Sequence, residues 1–273
     1  MSEAEPRSQE SLRHQYEVEK DLHRRLMEST RETRPQLFAQ LYGELFDRVK
    51  DHPRMTRRET EEDSRRAVEA RMRIIRPYLK DVKTFMEVAP GDCRLAYKVA
   101  EKVDKVIAID ISDQSGDKEN VPDNFELVIY DGYELGLPKE SVDMAFSYQF
   151  LEHIHPEDHE YHFQTVYDVL KPGGCYIFDT PHLYSGPHDA SRGFTYIHEG
   201  MHLKEWTYNE MSVLVKKMGF REWYTYRFGK PRESGLWNCG TLMVEGMVGC
   251  LPLGLRQKIS NRLFKGVTMI VRK

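Results

Sequence analysis

The sequence predicts an α/β protein: a doubly wound, mostly parallel sheet of seven strands with an antiparallel last strand, plus an N-terminal helical extension. Three observations carry this. From residue 84 onward, short apolar runs of strand length alternate with helical stripes. The first stretch, 84–112 (TFMEVAPGDCRLAYKVAEKVDKVIAIDIS), reads strand, tight turn, helix, strand, which is a βαβ unit. Upstream, residues 1–80 carry three helical stripes.

Residues 1 to about 10 are polar and expected to be disordered. Residues 11–28 are highly charged, with Leu12, Tyr16, Leu22 and Leu26 on a loose helical stripe. Ser29, Thr30, Arg31 and Glu32 have the form of a capping box, and Pro35 suits a first helical turn. Leu37, Phe38, Leu41, Tyr42, Leu45, Phe46 and Val49 recur at helical spacing, so this helix must bury a face. A charged connection, 57–63, leads to the third stripe, Ala67, Val68, Met72, Ile75 and Leu79. We read 1–80 as a lid or homodimer face and 81–273 as the main domain.

Within that domain, 84–88 is the first strand, and Leu95, Ala96, Val99 and Ala100 form the helix after it. The second strand, 106–109, ends on Asp110. Strands follow at 125–130, 142–147 and 175–179. Phe163, Val166, Tyr167 and Leu170 mark a helix stopped by Lys171-Pro172-Gly173-Gly174. The segment 180–205 is irregular and rich in His, Gly and aromatics, and a loop of that length is usually functional. Thr207 to Glu210 forms a second capping box, with Gly219 stopping its helix. Runs 222–228 and 267–272 read as a final strand pair. The apolar stretch 241–255 between them is expected to pack as a helix with a charged outer face rather than rest on a membrane.

The chain has 273 residues, 40% apolar and 31% charged, with a formal net charge of −4, so no nucleic-acid partner is expected. Cys93, Cys175, Cys239 and Cys250 form no C-x-x-C pair, which argues against a zinc knuckle or disulfide framework. The acidic start lacks signal-peptide form, and no run of ~18 apolar residues exists. Stable membrane insertion is therefore not expected, and a cytoplasmic location is.

Ligands of parallel sheets bind beyond the carboxyl ends of the strands. The turn Ala89-Pro90-Gly91-Asp92 lets a ligand approach the backbone, and Asp110 is placed to accept hydrogen bonds from ribose hydroxyls. The dinucleotide fingerprint fits poorly, because its three glycine positions hold Ala89, Gly91 and Arg94. With Glu87, the spacing Ala89, Gly91, Cys93 instead resembles the E-x-G-x-G-x-G motif of class I S-adenosylmethionine-dependent methyltransferases, with Ala89 and Cys93 where that family has glycine. Asp110-Ile111-Ser112, Asp131-Gly132, the run 137–154 and the run 169–174 (VLKPGG) resemble four further segments of that family, in order.

The resemblance covers about residues 80–230 and implies a Rossmann-like fold with S-adenosyl-L-methionine as cofactor. It implies that Glu87, Ala89 and Gly91 shape the methionine end, that Asp110 and Ile111 meet the ribose, that Asp131 and Gly132 meet the adenine, and that Tyr148 and Gln149 line the sulfonium end. The implied activity is methyl transfer to a small molecule, most readily an oxygen of a sugar, glycan precursor or secondary metabolite. Such an acceptor needs a base, and histidine suits proton removal near neutral pH. His153, His155 and His182 follow strands four and five and are the candidates, with His188, His198 and His202 in the long loop. No metal ligand is assigned, although Asp179, His182, His188 and Asp189 are an alternative set for a divalent ion. Two rival readings are a nicotinamide-dependent oxidoreductase or epimerase, and a non-catalytic nucleoside-binding scaffold.

Overall fold

A computed structural model describes residues 7–56, 60–116 and 119–273, apart from the side chains of Ala39 and Thr56. The expected disorder at 1–10 and the charged connection at 57–63 therefore lie partly outside the described residues. The helix α1, Gln9–Met27, starts earlier than its sequence stripe, because the Ser8 hydroxyl accepts the Ser11 N–H. Its buried side includes Tyr16, Leu22 and Leu26.

The helix α2, Arg34–Arg48, begins with Pro35 in its first turn. The capping box at residues 29–32 does not form at its start. Thr33 is the cap residue and makes no side-chain cap bond. Ser29 instead donates to the Leu26 carbonyl and accepts from Arg34 Nε at 3.2 Å. A short helix α3, Pro53–Thr56, and then α4, Glu61–Ile75, lead into the sheet.

The order continues β1 Thr84–Val88, α5 Arg94–Ala100, β2 Lys105–Asp110, β3 Phe125–Ile129, β4 Val142–Tyr148, α6 His159–Val169 and β5 Leu170–Pro181. Then come α7 Tyr208–Lys217, β6 Glu222–Arg227, β7 Lys230–Arg232, α8 Gly235–Gly249, α9 Leu253–Leu263 and β8 Gly266–Arg272. The strands form one sheet in the order β3-β2-β1-β4-β5-β8-β6-β7. Strands β1 to β5 are parallel, and β8 runs antiparallel between β5 and β6.

This is the expected sheet with one strand added. The addition, β7, is a three-residue return of β6 through Phe228 and Gly229, both at positive φ (52° and 75°). Two left-handed residues make the tight turn that matches strand twist. Pro231 keeps this edge short of donors.

Strand alternation divides the core. Phe85, Val106, Ala108, Met144, Phe146 and Ile177 face a layer with α4 and α5. Met86, Ile107, Ile109, Ala145, Tyr176 and Phe178 face one with α6 and α7. A third cluster joins Val18, Leu22 and Leu26 of α1, Leu41 and Leu45 of α2 and the following Val49 to Met201 and Leu203. The N-terminal helices thus hold down the end of the long loop.

The helix α8 is inverted relative to expectation. It buries Asn238, Thr241, Glu245 and Val248, while Leu236, Met243 and Met247 are exposed. The reason is polar. Glu245 Oε1 accepts the Tyr208 N–H at 2.6 Å and its Oε2 the Asn209 N–H at 2.8 Å, so it caps α7 from another helix. Among the described residues no helix is long and apolar enough to cross a membrane.

One buried ion pair fastens the start of α2 to the start of α6. Arg34, 1% exposed, pairs with Asp158 and donates to the Ser29 carbonyl at 2.8 Å. Asp158 also accepts from Arg31 Nε at 3.0 Å and from the Tyr133 hydroxyl at 2.9 Å. Burial pushes the Asp158 pKa up, but these donors outweigh it and hold the carboxyl below its ordinary value. Its stabilisation is present at neutral pH and lost as pH falls through that depressed value. Asp158→Ala leaves the buried Arg34 charge with the exposed Glu157 carboxylate at 3.1 Å as its remaining ion-pair partner among the described residues, and chemical unfolding at pH 7 is expected to show a loss of up to about 3–5 kcal/mol. The loss should shrink in acid; a neutral effect at pH 7 would refute the clamp.

Candidate active site

The carboxyl ends of β2, β1 and β4 lie side by side, and the loops leaving them build the site. The loop after β1 places Ala89, Gly91 and Cys93 at φ of 53°, 59° and 61°. The left-handed region costs an L-residue with a side chain roughly 1–2 kcal/mol. Alternate glycines at these three places would be free of that cost, and here only Gly91 is. The side of Gly91 that a Cβ would occupy is open. Ala89 N–H donates to the Ile109 carbonyl at 2.8 Å, which ties the loop to β2. Cys93 is buried within the layer under α5, and burial pushes its thiol up to about 12.

At the tip of β2, the Asp110 carboxylate is buried and accepts the Ser112 N–H at 3.3 Å. Burial raises its pKa, while backbone N–H groups of Ser112, Ile111 and Gly91 pull the other way. Asp110 thus stands at the tip of β2, beside the loop after β1 that carries Gly91. Ile111 beside them is 40% exposed. Glu87, near the end of β1, is buried, and its Oε2 has no hydrogen-bond partner among the described residues. Such an orphaned oxygen fits a site that receives a polar ligand.

After β3, Asp131 Oδ1 accepts the Tyr133 and Glu134 N–H groups, both at 2.9 Å. These bonds lower its pKa and shape the turn. Gly132 has φ +93° and open space on its Cβ side.

After β4, the Tyr148 ring lies under the Arg71 guanidinium of α4, 4.9 Å away. Gln149, at φ 51°, is fixed to β5: its N–H donates to the Asp179 carbonyl at 2.8 Å and its Nε2 to Asp179 Oδ1 at 2.7 Å. Asp179 also accepts from the Thr268 hydroxyl. Burial raises its carboxyl to about 6. A cavity of about 330 Å³ opens here, lined by Tyr148, Gln149, Asp179, Pro181, His188, Lys265, Gly266 and Thr268. A larger cleft, about 670 Å³, lies between α1 and Glu199, away from the strand ends.

The three histidines singled out from the sequence are absent from the lining of the 330 Å³ cavity. His155 accepts the Glu157 N–H at 3.2 Å and faces the Met27 carbonyl at 3.5 Å, so it caps the turn after Ile154. His182 accepts the Tyr184 N–H at 3.1 Å and donates from Nε2 to Glu245 at 2.7 Å. Both its nitrogens are used. His153 donates from Nδ1 to the Met201 carbonyl at 2.9 Å, and burial lowers its pKa to about 3.

His188 does reach the cavity. Its Nε2 is 2.9 Å from the Ser185 hydroxyl, which donates its own hydrogen to the His182 carbonyl at 3.0 Å. Nε2 must therefore carry the proton, leaving Nδ1 as an acceptor. Of the alternative metal set, Asp179, His182 and Asp189 are held by protein hydrogen bonds, and His188 keeps Nδ1. Asp189 accepts the Ser191 and Gly200 N–H groups at 3.0 and 2.8 Å.

Arg71, Lys265 and Thr268 were not legible as site residues. For Lys265 and Thr268 a signal exists: a last strand running antiparallel starts at the ligand edge. For Arg71 there was none, since it sits in a run of charges on α4.

Residues 86–178 match a family model described as a methyltransferase domain. No curated protein matches the chain. The fold is similar to that of a solved S-adenosylmethionine-dependent methyltransferase from Archaeoglobus fulgidus, at 20% identity and TM-score 0.53, covering 78% of this chain and 96% of that one. Another from Mesorhizobium loti aligns at 15% identity and TM-score 0.48, covering 73% and 98%.

One consequence concerns Glu87. Burial raises its carboxyl to about 8, against the pull of Arg71. Between the ordinary carboxylate range and about 8 the unfolded chain ionises while the folded site keeps its proton, so stability falls as pH rises through that window. Glu87→Gln should flatten the decline between pH 5 and 8 in urea titrations. An unchanged slope would show that Glu87 ionises normally.

Proposed function

We propose that the chain, whose residues 86–178 match a methyltransferase domain, is a class I S-adenosylmethionine-dependent methyltransferase that methylates an oxygen of a small-molecule acceptor held in the cavity beyond β4 and β5. A sugar, glycan precursor or secondary metabolite is the acceptor class. S-adenosylmethionine, when bound, supplies a methyl group already activated on positive sulfur. In our reading Glu87, Ala89 and Gly91 hold its methionine end, Asp110 and Ile111 its ribose, Asp131 and Gly132 its adenine, and Tyr148 and Gln149 flank the sulfonium. The orphaned oxygen of Glu87 and the open faces of Gly91 and Gly132 support that arrangement.

The observation that carries the acceptor reading is the cavity itself. At about 330 Å³ it has the size of a small-molecule site, and its wall includes one histidine, His188, whose Nε2 is turned to Ser185 and whose Nδ1 is left to accept. We assign His188 as the group that accepts the acceptor's proton. Burial lowers its pKa, so it is neutral and ready to accept near pH 7. His153, His155 and His182 take positioning parts, because none of them lines the cavity and each is turned to a protein partner elsewhere. Gln149 and Thr268 hold Asp179 at the wall, and Lys265 gives the rim a positive charge.

Calorimetric titration with S-adenosylmethionine, S-adenosylhomocysteine and NAD tests the cofactor part. The first two should bind and NAD should not, and Asp110→Ala should weaken binding at least tenfold; unchanged affinity would remove Asp110 from the ribose. Once an acceptor is found by screening hydroxylated metabolites, His188→Ala should lower kcat by about 10²–10⁴-fold while cofactor affinity stays. An unaltered kcat would reject His188 as the base.

A further inference from the structure

We propose that Glu152, His153 and His202 form a binding site for a divalent transition-metal ion of the zinc type. Each residue offers a ligand-capable atom, and the three atoms lie within 4.8 Å of one another. Glu152 and His153 sit on the turn Leu151–His153 that follows β4. The long loop is brought onto that turn by the Glu152 carbonyl, which accepts the Leu203 N–H at 2.7 Å and the Lys204 N–H at 3.2 Å. The two imidazoles then meet edge to face, with centroids 5.1 Å apart.

The supporting bonds leave the right atoms over. His153 donates from Nδ1 to the Met201 carbonyl at 2.9 Å, and His202 from Nδ1 to Glu205 at 3.0 Å. A carbonyl or carboxylate behind the remote nitrogen is the usual support of a metal-binding histidine, because it fixes the tautomer that leaves Nε2 as the ligand. Glu152 Oε2 accepts from the Thr180 hydroxyl at 3.0 Å. Its other oxygen, Oε1, has no hydrogen-bond partner among the described residues, although the residue is 0% exposed. A wholly buried carboxylate oxygen with nothing to answer it is costly, and a cation would answer it.

Two imidazoles and one carboxylate suit zinc, iron or manganese, and not calcium or magnesium, which favour oxygen ligands. Tetrahedral zinc with bonds of about 2.1 Å spaces its ligands ~3.4 Å apart, so side chains within 4.8 Å of one another would close by at most about 1.4 Å on binding. Three protein ligands leave a fourth position open. Glu205 links this site to the cavity wall, since its Oε1 also accepts the His188 N–H at 2.7 Å. The inference concerns metal binding alone and does not rest on the acceptor or on the role given to His188.

The alternative is a metal-free network, with a protonated Glu152 or a charged His202 filling the gap. Cobalt(II) titration of the full chain, freed of metal by chelator and dialysis, separates the two. One equivalent should bind with visible d–d absorption and be displaced by zinc(II). His153→Ala and His202→Ala should each abolish the absorption, and Glu205→Gln should weaken affinity about 10–100-fold. Circular dichroism of each variant reports whether it folds, and Glu152→Gln, which keeps the shape, stands in for any that does not. Failure of the folded wild-type chain to bind cobalt(II) or zinc(II) stoichiometrically would overturn the proposal. So would absorption that persists unchanged in the folded histidine variants.

Discussion

The pairing of β1 with β2 on one side and β4 on the other decides most of what this molecule can do. The chain leaves β1 toward one edge of the sheet, then returns past it to build the other. At that reversal the loops after β1 and β4 diverge and leave a crevice, where open α/β sheets hold their ligands. Asp110 and the loop of Gly91 lie side by side at the ends of the β1–β2 pair, and Gln149 hydrogen-bonds Asp179 across the β4–β5 pair. The antiparallel return of β8 then delivers Lys265 and Thr268 to the same edge from the far end of the sequence. A register fixed by apolar alternation thus positions charged groups that no local pattern would bring together.

Around the crevice, buried carboxylates do the fastening. Glu245 caps α7 and receives His182, Glu205 receives His188 and His202, and Asp158 receives Arg34. Glu245 and Asp158 join segments distant in the chain, and Glu205 ties the long loop to itself. A buried charge is tolerable only with such partners, and removing one strands the other. The loop 182–206 is therefore held by specific polar contacts, with the apolar cluster of α1 and α2 closing over Met201 and Leu203.

Local physics was legible in the sequence, and distant pairing was not. The parallel strands showed as apolar runs because both faces are buried. The box from Thr207 to Glu210 was readable because its two hydrogen bonds span three residues, and both form. A box of the same form at residues 29–32 failed because Arg34, drawn inward by Asp158, claims the Ser29 hydroxyl and carbonyl. Glu245 read as a lone acid in an apolar stretch; only the fold brings it to the start of α7. The histidines were ranked by nearness to strand ends, but ring direction decides which one meets the cavity, and spacing carries no information on that.

The left-handed loop after β1 has an effect on the chain before it folds. Ala89 and Cys93 restrict the unfolded backbone more than glycine would, so less freedom remains to be lost when the loop takes its shape. Part of the local penalty is offset in this way. A loop of three glycines would be easier to bend and would have to be ordered by whatever it grips. This one is already set, held to β2 through Ala89 and packed beneath α5 through Cys93. A ligand meeting a preformed turn orders fewer degrees of freedom, and more of its contact energy remains as affinity.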